Sequence, residues 1–186
     1  MKLTGERLYL RESTFQDCLY FTRWEQCEAI TKYLTIDRDR DYEQVVTEYV
    51  KRLGDPSQFQ MTICLREKEI PIGRIHISRI DPRADSLDLT RIYIGDQDLQ
   101  GHGYGKEALR LALRYAFEEK NCERVTLDYF TGNERAAGLY RKLGFQEEGV
   151  MRHAGKKDGY YVDFHLMSFL RKDYAARFNM ALSCQK

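Results

Sequence analysis

The order of periodic segments predicts one α/β domain built on a single mixed, mostly antiparallel sheet flanked by helices. Strand-like runs cluster between residues 59 and 95, and strands alternate with helices from 104 onward. No linker, repeat or low-complexity stretch divides the 186 residues. The first cluster reads as an antiparallel meander, while the later strands need crossover helices. The expected domain is therefore 1–186, with a core over about residues 5–175.

The elements follow in order. "RLYLR" (7–11) alternates apolar and polar residues, as a strand does. Thr14 followed by Asp17 resembles a capping box, so a helix should start there. Tyr42, Val45, Val46, Tyr49, Val50 and Leu53 share one helical face, and Gly54 supplies the stop. Residues 59–66 and 70–80 read as strands joined by the turn "EKE", and 86–95 as a third. Ala108, Leu109, Ala112, Leu113, Ala116 and Phe117 mark a helix of about five turns. "RVTLDYF" (124–130) has the composition of a buried strand. In 133–145, Ala137, Tyr140 and Leu143 form one stripe ending at Gly144. Strands around 145–152 and 160–169 close the fold. The predicted order is β-α-α-β-β-β-α-β-α-β-β.

Composition excludes several classes. A net charge of +1 gives no global field toward nucleic acid or an anionic membrane. The start "MKLTGERLYL" has no apolar targeting region, and no stretch approaches the ~18 apolar residues of a membrane span. A cytoplasmic location is the expectation. The five cysteines never form a C-x-x-C pair, which suits neither a disulfide framework nor a zinc site, and no metal is expected.

Chemistry concentrates in "QGHGYGKEAL" (100–109), for which three phosphate-binding motifs compete. A P-loop requires four residues between its glycines and a hydroxyl after the lysine. Here Gly101 and Gly105 enclose three, and Glu107 follows Lys106. The dinucleotide pattern fits Gly103, Gly105 and Ala108 in form, with Asp128 as a nominal ribose acid. However, "DQDLQGH" separates the first glycine from the strand, and Asp128 lies inside its own strand. The third pattern, Q-x-x-G-x-G, begins at Gln100 and ends at Gly105. Its glycines let consecutive amides turn toward an anion, and a helix starting near Tyr104 adds its positive end.

A second stretch, "NERAAGLYRKLGF" (133–145), decides among them. The pair resembles the GNAT family of N-acetyltransferases, marked by R/Q-x-x-G-x-G/A and then N-x-x-A-x-x-x-Y-x-K/R-x-G-F. Asn133, Ala136, Tyr140, Lys142, Gly144 and Phe145 match the second pattern, one helix and one strand after Gly105. The likeness extends over roughly residues 5–175, and residues 147–174 look like the end of the ribosomal-protein acetyltransferase branch. It implies acetyl-CoA as cosubstrate. Gln100, Gly101, His102, Gly103, Tyr104, Gly105 and Lys106 would form the pyrophosphate loop. The main chain of Ile92, Tyr93 and Ile94 would hold the pantetheine arm in the splayed sheet, and one amide there would stabilise the oxyanion. Asn133 would bond the arm, cap its helix, or do both. Tyr140 would be the general acid for the departing thiolate, because a phenol stays protonated at neutral pH.

The general base does not carry over. Many relatives of this branch have a glutamate on the strand equivalent to 86–95, whereas "SLDLTRIYIG" has none. Asp88 is the candidate, acting directly or through water, with His76 as an alternative. The resemblance implies a primary amine as acceptor, either a small molecule or a peptide or protein N-terminus. The early helices mix Asp17, Glu25, Glu28, Asp37, Asp39, Asp41 and Glu43 with Arg23, Lys32, Arg38 and Arg40, which leaves the acceptor's charge open. A catalytically idle acyl-CoA sensor is the alternative reading, and the complete motif around Tyr140 argues for catalysis. A homodimer is common among relatives, and residues 169–186 offer a docking or surface helix.

Overall fold

The computed structural model describes residues 1–37 and 39–178. Its strands are β1 (Lys2–Thr4), β2 (Leu8–Glu12), β3 (Phe59–Leu65), β4 (Pro71–Asp81), β5 (Ser86–Ile94), β6 (Arg124–Phe130), β7 (Gln146–Lys157) and β8 (Tyr160–Leu170). Its helices are α1 (Asp17–Glu25), α2 (Glu28–Thr31), α3 (Tyr42–Leu53), α4 (Tyr104–Arg114), α5 (Glu134–Leu143) and α6 (Arg171–Phe178). All strands join one sheet in the order β1-β2-β3-β4-β5-β6-β8-β7, and every pairing but β5/β6 is antiparallel. The expected mixed, mostly antiparallel sheet flanked by helices is the architecture observed.

β1 and α2 are not among the predicted elements, while α6 falls within the terminal helix expected over 169–186. β1 and α2 have three and four residues, too few to show a period. The expected cap at Thr14 is not formed, and α1 begins at Asp17 after Gln16. The Asp17 carboxylate instead receives the Thr14 amide at 2.7 Å and a two-pronged bond from Arg11 at 2.6 and 2.7 Å. A full capping box does open α3. Asp41 Oδ1 accepts the Gln44 amide at 2.8 Å, and Gln44 Oε1 accepts the Asp41 amide at 3.0 Å. Its buried stripe is narrower than predicted: Val45 and Tyr49 are covered, while Val50 and Leu53 are exposed.

α4 stays α-helical to Arg114 and then widens into a π-helical turn over Tyr115–Glu119. This turn brings both Tyr115 and Phe117 inward, where Tyr115 stacks on Phe59 and Phe117 on Tyr174 of α6. The apolar side of α6 is thus used within the chain. The rest of the anticipated terminal helix, residues 179–186, lies outside the described residues.

Two apolar clusters fix the layers. The larger lies behind the sheet under α4 and α5, with Ile75, Ile77, Leu87, Leu109, Leu127 and Phe169 at its centre. The smaller one, Cys18, Phe21, Trp24, Val45 and Tyr49, holds α1 and α3 against the front of the sheet. Because α1 and α3 cover only part of the front, the faces of β6 and β8 lie beside them rather than beneath them. At the sheet's centre, β5 and β6 pair only through Ser86–Asp88 and Arg124–Thr126. Beyond these pairs the two strands part, which creates a cleft inside the sheet.

Candidate active site

The cleft owes its shape to a β-bulge. His76 pairs with Arg91 and Ile77 with Leu89, so Thr90 is the extra residue on β5. The bulge bends β5 away from β6 just beyond their last paired position. Main-chain groups alternate between the two edges of a strand. The Ile94 carbonyl accepts the Gln100 side-chain amide at 3.0 Å, while the Gly95 amide goes to Ile72 on the β4 side. Ile94 and Ile92 therefore turn main-chain groups toward the cleft. Tyr93 turns its own toward β4, and its phenol donates to Glu25 at 2.9 Å.

The glycine loop lies at the mouth of this cleft. Gly101 and Gly103 have φ of 85° and 83°, a region that costs other residues about 1–2 kcal/mol. Gly103 is the N-cap of α4 and no side chain caps that end, so the first-turn amides of Tyr104, Gly105 and Lys106 are presented outward. Glu107 turns away to β2, where it receives the Arg7 and Leu8 amides at 2.7 and 3.0 Å and the Arg7 guanidinium at 3.0 Å. Arg7 also lies over the Tyr104 ring and donates to the His102 carbonyl at 2.9 Å. It is a cationic member of the loop's surroundings that motif reading missed, because it comes from the other end of the chain. Gln100 acts as a brace, with Nε2 on Ile94 and Oε1 accepting from Arg135 of α5 at 3.1 Å. The exposed His102 ring sits on the Gln100 carbonyl, and Lys106 is exposed. An uncapped helix start, two positive-φ glycines and a nearby guanidinium suit a pyrophosphate.

On the far side of the cleft, Asn133 caps α5, its Oδ1 accepting the Ala136 amide at 3.2 Å. Tyr140, on the buried side of α5, packs against Tyr129 and Phe145. Its hydroxyl has no hydrogen-bond partner among the described residues. Burial, with the Asp128 charge adding to it, raises its pKa and keeps the proton on.

The carboxylates divide by environment. Asp88 is 2% exposed and sits where β5 still pairs with β6; it accepts the Thr90 hydroxyl at 2.9 Å and that of Thr126 at 2.7 Å. Asp128, two residues past Thr126, lies on the same face of β6, beyond the parting. It is half-buried, with no hydrogen-bond partner among the described residues. Burial and the Asp88 charge raise it to about 6, partly offset by Arg79. His76 lies away from the cleft, with Nε2 on Gln58 and Nδ1 without a partner among the described residues; burial and the surrounding arginines push it down to about 3. Several acidic residues of the first helices prove structural. Asp17 pairs with Arg11, Asp41 caps α3, and Glu25 is buried among Arg74, Arg91 and Arg40. Arg38 lies outside the described residues.

The acceptor side is bounded by the loop after α2. Lys157 of β7 pins that loop by donating to the Thr31 and Leu34 carbonyls, both at 2.8 Å. Tyr33 packs edge-on to Phe130, which in turn meets Phe164. Among the described residues, no group of three or more histidine, cysteine or acidic side chains converges as a metal site, and no helix is long and apolar enough to cross a membrane.

A parted sheet with an uncapped glycine loop at one end and a buried tyrosine beside it is the arrangement of an acyl-transfer enzyme using a coenzyme-A-type carrier. Comparison with known proteins makes the class specific. Residues 7–146 match the family model of the acetyltransferase (GNAT) domain, and the chain belongs to this family of N-acetyltransferases, with acetyl-CoA as cosubstrate. It is similar to the spermidine N(1)-acetyltransferase of Escherichia coli K12, 26% identical over 168 residues that span 90% of this chain and 88% of that protein. An uncharacterized N-acetyltransferase of Bacillus licheniformis, p20, is 25% identical over 177 residues, 93% of this chain and 98% of the relative. The crystal structure of spermidine N-acetyltransferase from Vibrio cholerae, in complex with CoA and spermine, has the same fold. Its TM-score is 0.83 at 23% identity, covering 91% of this chain and 99% of that one. These polyamine names do not point to the ribosomal-protein branch suggested by residues 147–174.

Proposed function

We propose that the protein acetylates a primary amine of a small, cationic molecule of the polyamine class, with Tyr140 as the acid that protonates the CoA sulfur. One observation carries the role of Tyr140: its buried side chain lies beside the parted strands, and its hydroxyl has no hydrogen-bond partner among the described residues. Main-chain groups of Ile92 and Ile94 would hold the pantetheine arm, and Asn133 would add a side-chain bond. The amides of residues 103–106, with Arg7, would carry the pyrophosphate. For the acceptor, the support is the half-buried Asp128 beyond the parting, with the buried Asp88 next to it, together with the polyamine relatives. Negative charge there favours an ammonium group over a neutral or anionic acceptor.

Release of free CoA thiol, measured against spermidine, aminoglycosides, amino acids and peptide N-termini, tests the reading. The expected outcome is that spermidine or a similar polyamine gives the highest kcat/KM. Preference for a peptide N-terminus would move the enzyme toward the protein-acetylating branch. Tight acetyl-CoA binding with no thiol release on any amine would make the chain an acyl-CoA sensor.

A further inference from the structure

We propose that Asp128 is the general base of the reaction, and that Asp88 is a positioning residue whose fixed negative charge adjusts it; this rests on the amine acetyltransferase reading above. The sheet supplies the geometry. Asp88 lies opposite Thr126, within the last paired stretch of β5 and β6. Side chains alternate along a strand, so Asp128 shares the face of Thr126 but stands beyond the parting. The first of these carboxylates is closed in, and the second keeps solvent access beyond the last pair. Asp88 has each oxygen engaged by a threonine hydroxyl, and the Thr90 hydroxyl is itself held by Ser78 at 2.5 Å. Its lone pairs serve the bulge that parts the strands. Asp128 is without a hydrogen-bond partner among the described residues and keeps part of its surface exposed.

The charged and titratable groups acting on Asp128 come from three elements: Asp88 on β5, Arg79 on β4 and Tyr140 on α5. The like charge of Asp88 and partial burial disfavour its ionised form, which makes it a better proton acceptor than an ordinary aspartate. Tyr140 packs on Tyr129, the neighbour of Asp128 on β6, so acid and base lie on opposite faces of that strand beyond its last pairing with β5.

The proton balance closes. The Asp128 carboxylate takes one proton from the acceptor's ammonium group. The freed lone pair forms the N–C bond to the acetyl carbonyl, and the C–S bond breaks. Sulfur takes the Tyr140 proton, and the second proton lost by nitrogen restores the phenol through solvent. Asp128 then releases its own proton to water. The net change is ammonium plus acetyl-CoA to N-acetyl amine, CoA thiol and one proton.

The test is kcat/KM for spermidine as a function of pH, with acetyl-CoA affinity measured by calorimetry alongside. Wild type should show an acidic limb near pH 6. Asp128→Asn should lose on the order of 100-fold in kcat/KM at pH 7.5 while binding acetyl-CoA as wild type does. Asp88→Asn should keep a limb but shift it to lower pH, because the like charge is gone. An Asp128→Asn enzyme within about threefold of wild type would overturn the assignment, since loss of a general base costs far more. An unmoved limb in Asp88→Asn would overturn the role of Asp88. If wild type acetylates neither spermidine nor any other amine, the acetyltransferase reading itself fails, which is a different result from an active Asp128→Asn.

Discussion

Arg74 and Glu25 meet at 2.7 Å with both side chains shut off from solvent, Nη1 of the arginine donating to Oε1 of the glutamate. The same carboxylate receives Arg91 at 3.2 Å, the Tyr93 hydroxyl at 2.9 Å and Arg40 at 3.2 Å. One buried anion therefore ties α1 to β4, β5 and the segment before α3. Replacing Glu25 by Gln leaves Arg74, Arg91 and Arg40 to share Glu48, and removing one partner from such a buried cluster costs about 3–5 kcal/mol. The midpoint of urea denaturation should fall accordingly. The KM for acetyl-CoA should rise as well, because Arg91 and Tyr93 lie on the bent part of β5. A change in stability below 1 kcal/mol would mean that the network is not holding the layers together.

The same region should make the protein acid-labile in two stages. His76 is held near 3 against 6.5 for an ordinary histidine, by burial and by the Arg52, Arg91 and Arg74 charges. Between those values the unfolded chain binds a proton that the folded one refuses, so stability falls as pH drops from 6.5. From pH 6.5 to 4.5 the loss should approach about 2 kcal/mol. Burial would raise Glu48, but Arg91, Arg52, Arg74 and Arg40 outweigh it and hold the carboxyl near 2. Its contribution is complete above pH 4.5 and disappears as pH falls toward 2. His76→Gln should flatten the upper stage and leave the lower one. A variant with the wild-type slope between pH 6.5 and 4.5 would show that His76 is not the group responsible.

Legibility in the sequence followed the range of the interactions. The meander, α3 to α5 and the glycine loop were readable because their periods and caps are local. The Gly144 stop, with φ of 107°, is of that kind. The cap misplaced at Thr14 shows the limit: Asp17 is claimed by Arg11 of β2, a contact no window over the helix contains. Gln100 was readable as a motif residue but not as a brace between Ile94 and Arg135. In the sequence Asp128 reads only as a nominal ribose acid misplaced inside its strand. Only the parting of β5 from β6 puts this mid-strand aspartate next to a break in the sheet.

Gly103→Ala should separate cofactor binding from folding. Its φ of 83° strains any residue with a Cβ, and the added carbon would lie 3.4 Å from Arg7 Nη2. The expected cost is about 1–2 kcal/mol of stability. Because the strain falls on the amides proposed to carry the pyrophosphate, the KM for acetyl-CoA should rise roughly tenfold, corresponding to about 1.4 kcal/mol of lost binding. Thermal shift with and without acetyl-CoA measures both. A stability loss with unaltered affinity would move the pyrophosphate away from this loop.

Tyr140→Phe removes only a hydroxyl. The ring remains against Tyr129 and Phe145, so the fold should hold. kcat should drop about 100-fold, as expected for loss of a general acid, with acetyl-CoA affinity nearly unchanged. Equal losses in kcat and affinity would identify the hydroxyl as a binding group instead.

Asp128→Asn should lose turnover and gain stability, a combination that a structural aspartate does not give. The folded state raises this carboxyl from 3.8 to about 6, through burial and then Asp88. Above pH 6 the group is ionised in both states and the folded one bears the penalty. As pH falls toward 4, the folded state takes up its proton first and the penalty disappears. The asparagine variant should therefore be more stable than wild type by about 1–2 kcal/mol at pH 7.5, with the gap closing near pH 4. Urea denaturation at the two pH values measures it. A variant less stable than wild type at pH 7.5 would mean that the ionised carboxylate is held by favourable contacts. Asp128 would then be a structural anion rather than a group kept ready to accept a proton.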